Sequence, residues 1–157
     1  MDVTQHIDIT ASPDHVWGIL DGEFGDITKW AARMLESEAD PSLGELGGRQ
    51  VVAVEYGPAT ETLYVRDADE RTIGYRVTGP SLPPPISDVR TEWRVRDADG
   101  SRVSIRFLAE VNPPEMQPML EETLRAGITP LLDELRHYAE TGRPHPNKTA
   151  RTEGAPA

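Results

Sequence analysis

The chain has 157 residues, no cysteine and a formal net charge of −11 at pH 7. The absence of cysteine excludes disulfide bonds, thiolate catalysis and cysteine-based metal sites. Because nucleic acids and anionic membrane surfaces are polyanions, the acidic balance argues against both as partners. A single domain with one core and a modest cavity is the architecture that this length predicts.

The sequence also bears on where the protein is located. No stretch approaches the ~18 consecutive apolar residues of a membrane span, and the N-terminus lacks the basic region and apolar run of a secretory signal. We therefore expect a cytoplasmic protein. Lys29 and Lys148 are the only lysines, so arginine supplies 14 of the 16 basic residues. This bias indicates a GC-rich bacterial genome.

The first predicted elements are a strand and a short helix. Residues 3–9 alternate apolar and polar side chains, which is the two-residue period of a half-buried strand. Ser12 is a suitable N-cap and Pro13 suits the first helical position, so a helix is predicted to begin there. After a glycine-rich break, Asp26 is predicted to cap a second short helix.

Strand-like segments dominate the middle of the chain. A weak strand candidate at 33–40 is followed by a turn-rich connection, and further strands are predicted over residues 49–56, 61–67, 71–78, 88–96 and 102–111. In the last two, mostly apolar residues alternate with polar or charged ones, so each strand has one apolar and one wet face. This register predicts that Trp93 faces the interior and Arg94 the solvent.

A long helix is predicted near the C-terminus. Apolar side chains recur at helical spacing from about Glu115 to Glu140, and they are the best candidates to cover the apolar face of the sheet. Residues 142–157 carry almost no large apolar side chains, so a disordered tail is predicted there.

Gly127 and Pro130 interrupt the pattern of the long helix, because glycine is a poor helix former and proline lacks an N–H donor. Two interpretations stay open. In one, the chain breaks into two shorter helices at Gly127. In the other, a single kinked helix turns Thr123, Ala126 and Gly127 toward a cavity, where larger side chains would fill the space.

The order of elements predicts the fold class. One strand, two short helices, six further strands and a long helix favour an α+β protein with an antiparallel meander. We expect a helix-grip fold, in which a curved antiparallel sheet of about seven strands wraps around the long C-terminal helix and the domain covers residues 1–141. Such a sheet does not close its core completely, so a cavity is expected between the concave face and the helix.

Many residues match the pattern of a known family. They are Ile9, Ala11, Pro13, Val16, Trp17, Leu20, Phe24 and Trp30, followed by Gly48, Arg49, Glu61, Leu63, Tyr75, Leu82, Pro83, Phe107, Gly127, Leu131 and Leu135. With them, residues 3–140 resemble START-like proteins of the SRPBCC (birch-pollen-allergen) superfamily, in particular the polyketide cyclase/dehydrase and lipid-transport branch. Thr62 and Ile105 depart from it, standing where arginine and tryptophan are common. The resemblance implies the helix-grip fold.

Glu61 and Tyr75 are the candidate catalytic residues, because each is predicted to point inward among apolar neighbours. On a cavity wall, a desolvated glutamate can be a general base and a tyrosine an acid or orienting donor. For each residue a structural alternative to catalysis stays open. Glu61 can pair with Arg49 across neighbouring strands, and Tyr75 can cap the core with its hydroxyl in water. The four histidines share no metal-ligand spacing, so we expect no metal site.

The inward faces and the resemblance together predict a ligand-binding set. It comprises Trp30, Tyr56, Glu61, Leu63, Tyr75, Trp93, Ile105, Phe107, Met119, Thr123, Gly127, Ile128 and Leu131. The inward parity of the strand at 49–56 stays open, because its odd- and even-numbered residues are both largely apolar. The proline-rich stretch at 79–88 is predicted to be either a stiff rim at the cavity mouth or an ordinary long loop.

The resemblance implies three alternative functions. The first is binding of a hydrophobic small molecule, such as an aromatic or polyketide-type natural product of antibiotic biosynthesis, with turnover as a cofactor-independent cyclase/dehydrase. The second is a ligand-sequestering, carrier or self-resistance protein without turnover. The third is a co-chaperone-like interaction module, which predicts an exposed apolar patch and little cavity. We expect no cofactor, no nucleic acid, no membrane and no metal as partners, and a monomer or weak homodimer.

Overall fold

The computed structural model describes the backbone of residues 1–154 and the side chains of residues 1–151. The elements are β1 (Asp2–Ile9), α1 (Pro13–Trp17), a π-helical turn (Gly18–Gly22), a 3₁₀ helix (Phe24–Lys29), β2 (Met34–Asp40), β3 (Gly48–Ala53), β4 (Gly57–Asp67), β5 (Thr72–Thr78), β6 (Ile86–Asp97), β7 (Ser101–Val111), a 3₁₀ turn (Pro114–Met116), α2 (Gln117–Thr141) and α3 (Pro146–Gly154). The last three residues of the predicted tail, 155–157, lie outside the described part.

The seven strands form one antiparallel sheet in the order β1-β7-β6-β5-β4-β3-β2. From β2 to β7 each strand pairs with the next along the chain, and β1 pairs with β7 at the opposite edge. The short helices between β1 and β2 therefore span the width of the sheet. This arrangement confirms the predicted α+β helix-grip class.

Irregular pairing accompanies the curvature of the sheet. Register shifts lie between Met34 and Glu36, between Leu63 and Val65, and between Ser87 and Arg90. A bulge of this kind bends its strand and increases the local twist, which gives the sheet a concave face.

The predicted alternation of β6 is present in the structure. Trp93 is 2% exposed on the concave side, whereas Arg94 pairs with Glu70 on the outer side. The predicted register is therefore confirmed, and the inward face of β6 is available to line an interior space.

The helix α2 is continuous from Gln117 to Thr141 and contains Pro130, so the interpretation of two shorter helices is wrong. Its buried residues all lie from Ile128 onward, and the first part of the helix is only half-buried or exposed. The first part therefore stands over the sheet without closing the core beneath it. Ala126, which was predicted to face the cavity, is exposed instead.

The structure differs from the sequence-based prediction at the C-terminus, where α3 occupies part of the predicted disordered tail. Asn147 Nδ2 donates to Glu134 Oε2 over 3.2 Å, and Lys148 Nζ donates to the carbonyl oxygens of Met34 and Ala31 over 2.8 and 3.3 Å. These contacts are polar, so the lack of apolar side chains in this segment does not reveal them. Polar groups that bond to a buried carboxylate and to backbone carbonyl oxygens also hold a segment in place.

Candidate functional site

A cavity of about 280 Å³ lies between the concave face of the sheet and the first part of α2. Three of its lining side chains carry a charge, namely Arg33, Glu55 and Glu61, and most of the others are apolar. The lining residues are Met1, Ile27, Arg33, Met34, Glu55, Tyr56, Glu61, Tyr75, Val77, Leu82, Pro83, Ile86, Val89, Thr91, Trp93, Ile105, Phe107, Leu120, Thr123, Leu124, Gly127, Ile128 and Leu131. A space of this size lies at the lower end of the range for small-molecule sites.

Glu61 forms a buried ion pair with Arg49. The two residues are direct partners on β4 and β3, both are 2% exposed, and Arg49 Nε donates to Glu61 Oε1 over 2.7 Å. Arg49 Nη1 donates to the Phe24 carbonyl oxygen over 2.7 Å, and the guanidinium carbon lies 3.9 Å from the centre of the Phe24 ring. Of the two alternatives for Glu61, the structure contains the pair with Arg49.

This pairing lowers the suitability of Glu61 as a general base. Burial is the largest single influence and lowers the pKa of Arg49, but the charge and hydrogen bond of Glu61, together with smaller contributions from Tyr75 and Tyr56, raise that pKa overall. Protonation of Glu61 would leave the buried guanidinium without a compensating charge, which is strongly unfavourable. The geometry therefore favours an electrostatic role for Glu61 in the cavity wall over proton abstraction.

Tyr75 lines the cavity beside this ion pair, with its ring centre 5.0 Å from the guanidinium carbon of Arg49. The indole Nε1 of Trp93 donates to the Tyr75 hydroxyl oxygen over 3.2 Å. Burial, reinforced by the charge of Glu61, raises the pKa of Tyr75 to about 12. The phenol is therefore protonated at neutral pH, and since its oxygen accepts from Trp93, its own proton is available to an acceptor.

A turn resolves the parity that the sequence left open near residue 56. Within β3, Val51 and Ala53 face inward and Val52 is half-buried. The strand ends at Ala53, and Tyr56 reaches the cavity from the turn that leads into β4. Burial raises the pKa of the Tyr56 phenol, which is therefore also neutral at physiological pH.

Ten of the thirteen residues that were predicted to bind a ligand line the cavity. They are Tyr56, Glu61, Tyr75, Trp93, Ile105, Phe107, Thr123, Gly127, Ile128 and Leu131. These residues come from four strands, one turn and α2, so the tertiary structure brings together positions that are up to 75 residues apart.

The other three predicted residues do not line the cavity. Trp30 lies in the core, with its ring edge-on to Trp93 at a centroid distance of 6.2 Å. Leu63 lies one inward position beyond Glu61 on β4 and is part of the same core. Met119 is 56% exposed, because one helical step of about 100° separates it from Leu120, which does face the cavity.

Several cavity residues were missed by the sequence reasoning. Val89 and Thr91 share the inward face of β6 with Trp93, and the same alternation was enough to find them. Arg33 and Glu55 also line the cavity, but each lies in a turn, where no periodicity indicates the direction of a side chain.

The proline-rich stretch contributes Leu82 and Pro83 to the cavity wall, which favours a rim over an ordinary loop. Within the described residues, no group of three or more histidine or carboxylate side chains is arranged to hold a metal ion. The described part of the chain also contains no helix that is long and apolar enough to cross a membrane.

A curved antiparallel sheet that grips a long helix around a largely apolar cavity defines a helix-grip protein. The family model for polyketide cyclase/dehydrase and lipid transport matches residues 1–140, and the chain belongs to this family. No curated protein matches the chain.

Three solved structures with this fold are the following. An uncharacterized protein from Bacillus thuringiensis has a TM-score of 0.72 and 20% identity, over 88% of this chain and 98% of that chain. The di-domain ARO/CYC BexL from the BE-7585A biosynthetic pathway has a TM-score of 0.73 and 15% identity, over 87% of this chain and 45% of BexL. Ara h 8.0201 has a TM-score of 0.67 and 14% identity, over 88% and 97% of the two chains. At these identities the likeness shows the fold.

Proposed function

We propose that this protein binds a hydrophobic small molecule, of aromatic or polyketide type, in the cavity between the sheet and α2. The observation that carries the proposal is the largely apolar space of about 280 Å³ inside the grip. Protein cores pack at nearly the density of organic crystals, so an open space of this size indicates an occupant. Membership of the polyketide cyclase/dehydrase and lipid-transport family supports the same function.

The polar groups of the wall indicate how the molecule is oriented. Tyr75 has a proton to donate, because its oxygen accepts from Trp93. We therefore propose that the bound molecule carries a carbonyl or similar acceptor, placed against the Tyr75 hydroxyl. The co-chaperone-like alternative predicts little cavity, so the observed space favours ligand binding over that alternative.

Cyclase/dehydrase-type turnover of the bound molecule is a second candidate function. The Tyr75 hydroxyl is favourable to it, because a fixed donor stabilises the negative charge that develops on a carbonyl oxygen during carbon–carbon bond formation. Glu61 is tied to Arg49, and among the described cavity residues Glu55 is the only other carboxylate. Glu55 in turn pairs with Arg33. The wall thus offers a donor but no unpaired carboxylate base, and we place binding ahead of turnover.

Cavity binding is tested with N-phenyl-1-naphthylamine, a neutral dye that fluoresces in apolar sites. We expect one saturable site in the wild type, weakened at least about tenfold by Gly127→Leu and changed less than about twofold by Gly127→Ala. A Cβ at Gly127 would meet Arg33 Nη2 at 3.5 Å, which is an ordinary contact, so the alanine variant is expected to fold. The leucine variant is expected to fold because Gly127 lines the cavity, where the added carbons occupy open space. Absence of a saturable site, or equal binding by both variants, contradicts the proposal.

The role of Tyr75 is tested with two competitors of the dye, one of which has a carbonyl group where the other has a methylene. We expect 2-acetylnaphthalene to displace the dye better than 2-ethylnaphthalene, and Tyr75→Phe to reduce this preference about fivefold, the worth of one neutral hydrogen bond. Tyr64→Phe is the matched control, because Tyr64 bonds to Glu92 and lies outside the cavity. A preference for the ketone that survives in Tyr75→Phe contradicts this orientation.

A further inference from the structure

Arg33 is the only cationic side chain among the cavity-lining residues that the structure describes. It lies in the turn before β2 and also lines a surface groove bordered by α2 and α3. Glu55, Gly127 and Leu131 line the same two spaces. These four residues therefore lie between the cavity and the surface groove.

The present partner of Arg33 is held loosely. Arg33 Nη2 lies 3.3 Å from Glu55 Oε1, and Arg33 Nε donates to Glu55 Oε2 over 3.4 Å. The Glu55 side chain is 50% exposed, whereas that of Arg33 is 23% exposed. An ion pair with a long, half-exposed geometry contributes little to stability, because water solvates the freed carboxylate well. Glu55 can therefore leave Arg33 at low cost.

The charge of Arg33 also acts inside the cavity. Burial raises the pKa values of the Tyr56 and Tyr75 phenols, and the positive charge of Arg33 opposes this rise at both. Arg49, the neighbouring buried cation, is already engaged by Glu61 and the Phe24 carbonyl oxygen. Arg33 is thus the cationic side chain of the cavity wall that a bound molecule can engage.

We infer that the molecule bound in the cavity carries an anionic group, such as a carboxylate, which replaces Glu55 on the Arg33 guanidinium. This inference rests on the proposed cavity binding and adds the chemical class of the ligand: an amphipathic acid whose apolar part fills the cavity. A guanidinium presents parallel N–H donors that match the two oxygens of a carboxylate. The net charge of −11 disfavours anions in general, so only direct contact with Arg33 selects the acid.

The test compares two dyes that share an anilinonaphthalene core, the neutral N-phenyl-1-naphthylamine and the anionic 8-anilino-1-naphthalenesulfonate. We expect Arg33→Gln to weaken binding of the anionic dye at least about tenfold and to change binding of the neutral dye less than about twofold. Glu55→Gln removes the competing carboxylate, so it is expected to strengthen binding of the anionic dye about threefold.

Arg71→Gln is the matched control, because Arg71 has a similar exposure of 24%, pairs with Asp14 and lies outside the cavity lining. We expect this variant to bind both dyes with the same affinity as the wild type. An anionic dye that binds Arg33→Gln as tightly as the wild type overturns the inference, as does a folded Arg33→Gln variant that loses both dyes equally. If Arg33→Gln loses its native circular dichroism, the test depends on Glu55→Gln. A Glu55→Gln variant that binds the anionic dye with the affinity of the wild type then overturns the inference.

The same titration of the wild type separates this inference from the proposed function. If the neutral dye binds and the anionic dye does not, the inference fails and the proposal of cavity binding stands. If neither dye binds, both fail together.

Discussion

Arg49 and Glu61 face each other across β3 and β4, with Arg49 Nε 2.7 Å from Glu61 Oε1 and both residues 2% exposed. The other end of the guanidinium donates to the Phe24 carbonyl oxygen, at the start of the 3₁₀ helix. One buried pair therefore joins two strands to the segment that spans the sheet. The pair also means that the carboxylate of Glu61, which lines the cavity, is compensated by the charge of Arg49.

The first prediction concerns the cost of breaking this pair. Arg49→Met and Glu61→Leu, made singly, are each expected to lower the free energy of unfolding by about 3–5 kcal/mol, because each leaves an uncompensated buried charge. The double variant is expected to lie within about 2 kcal/mol of the wild type, since only the Phe24 carbonyl oxygen then lacks its donor. Urea denaturation measures all four proteins. If the double variant loses as much free energy of unfolding as the two single variants together, the two charges do not compensate each other and the prediction is wrong.

The second prediction is a loss of stability at high pH. The pKa of Tyr75 is raised to about 12 by burial and by the charge of Glu61, so the native state keeps a proton that the unfolded chain releases near pH 10. The stabilisation is complete below about pH 10 and is lost as the pH rises toward 12. Its size is on the order of 2–3 kcal/mol for a shift of this extent.

Thermal denaturation between pH 9 and 12 checks this prediction, with Tyr75→Phe as the informative variant. The variant is expected to lose less stability over this range than the wild type, and Tyr56, whose pKa is also raised by burial, accounts for part of what remains. Identical pH profiles for the two proteins would mean that the Tyr75 phenol ionises as freely in the native state as in the unfolded chain.

The third prediction concerns the docking of α3. Substitution of Asn147 and Lys148 by alanine removes one partner of the buried Glu134 and the donor of two carbonyl oxygens. We expect the double variant to be less stable by about 1–2 kcal/mol. A calorimetric melting temperature lower by about 2–8 °C corresponds to this loss. Thr149→Ala, an exposed position on the same helix, is the control and is expected to melt with the wild type. An unchanged melting temperature in the double variant supports the disordered tail that the sequence predicts.

Much of the fold was predictable because it depends on short-range periodicity. Alternation placed Trp93 inward and Arg94 outward, and helical spacing located α2. The same periodicity located most of the predicted cavity residues that line the observed space. It failed at Met119, because a helix turns by about 100° per residue and one position separates the inner from the outer face.

By itself, the sequence determined the α+β class, the order of the elements and the inward face of the central strands, because each is a property of neighbouring residues. Only the tertiary structure decided that Glu61 pairs with Arg49, that Lys148 holds α3 on the carbonyls of Ala31 and Met34, and that Arg33 lies beside Gly127. Arg33 and Gly127 are separated by more than half of the chain, and no local pattern links them. A polar contact across such a distance depends on where folding brings two side chains, so the chemistry of the cavity was decided by tertiary contacts.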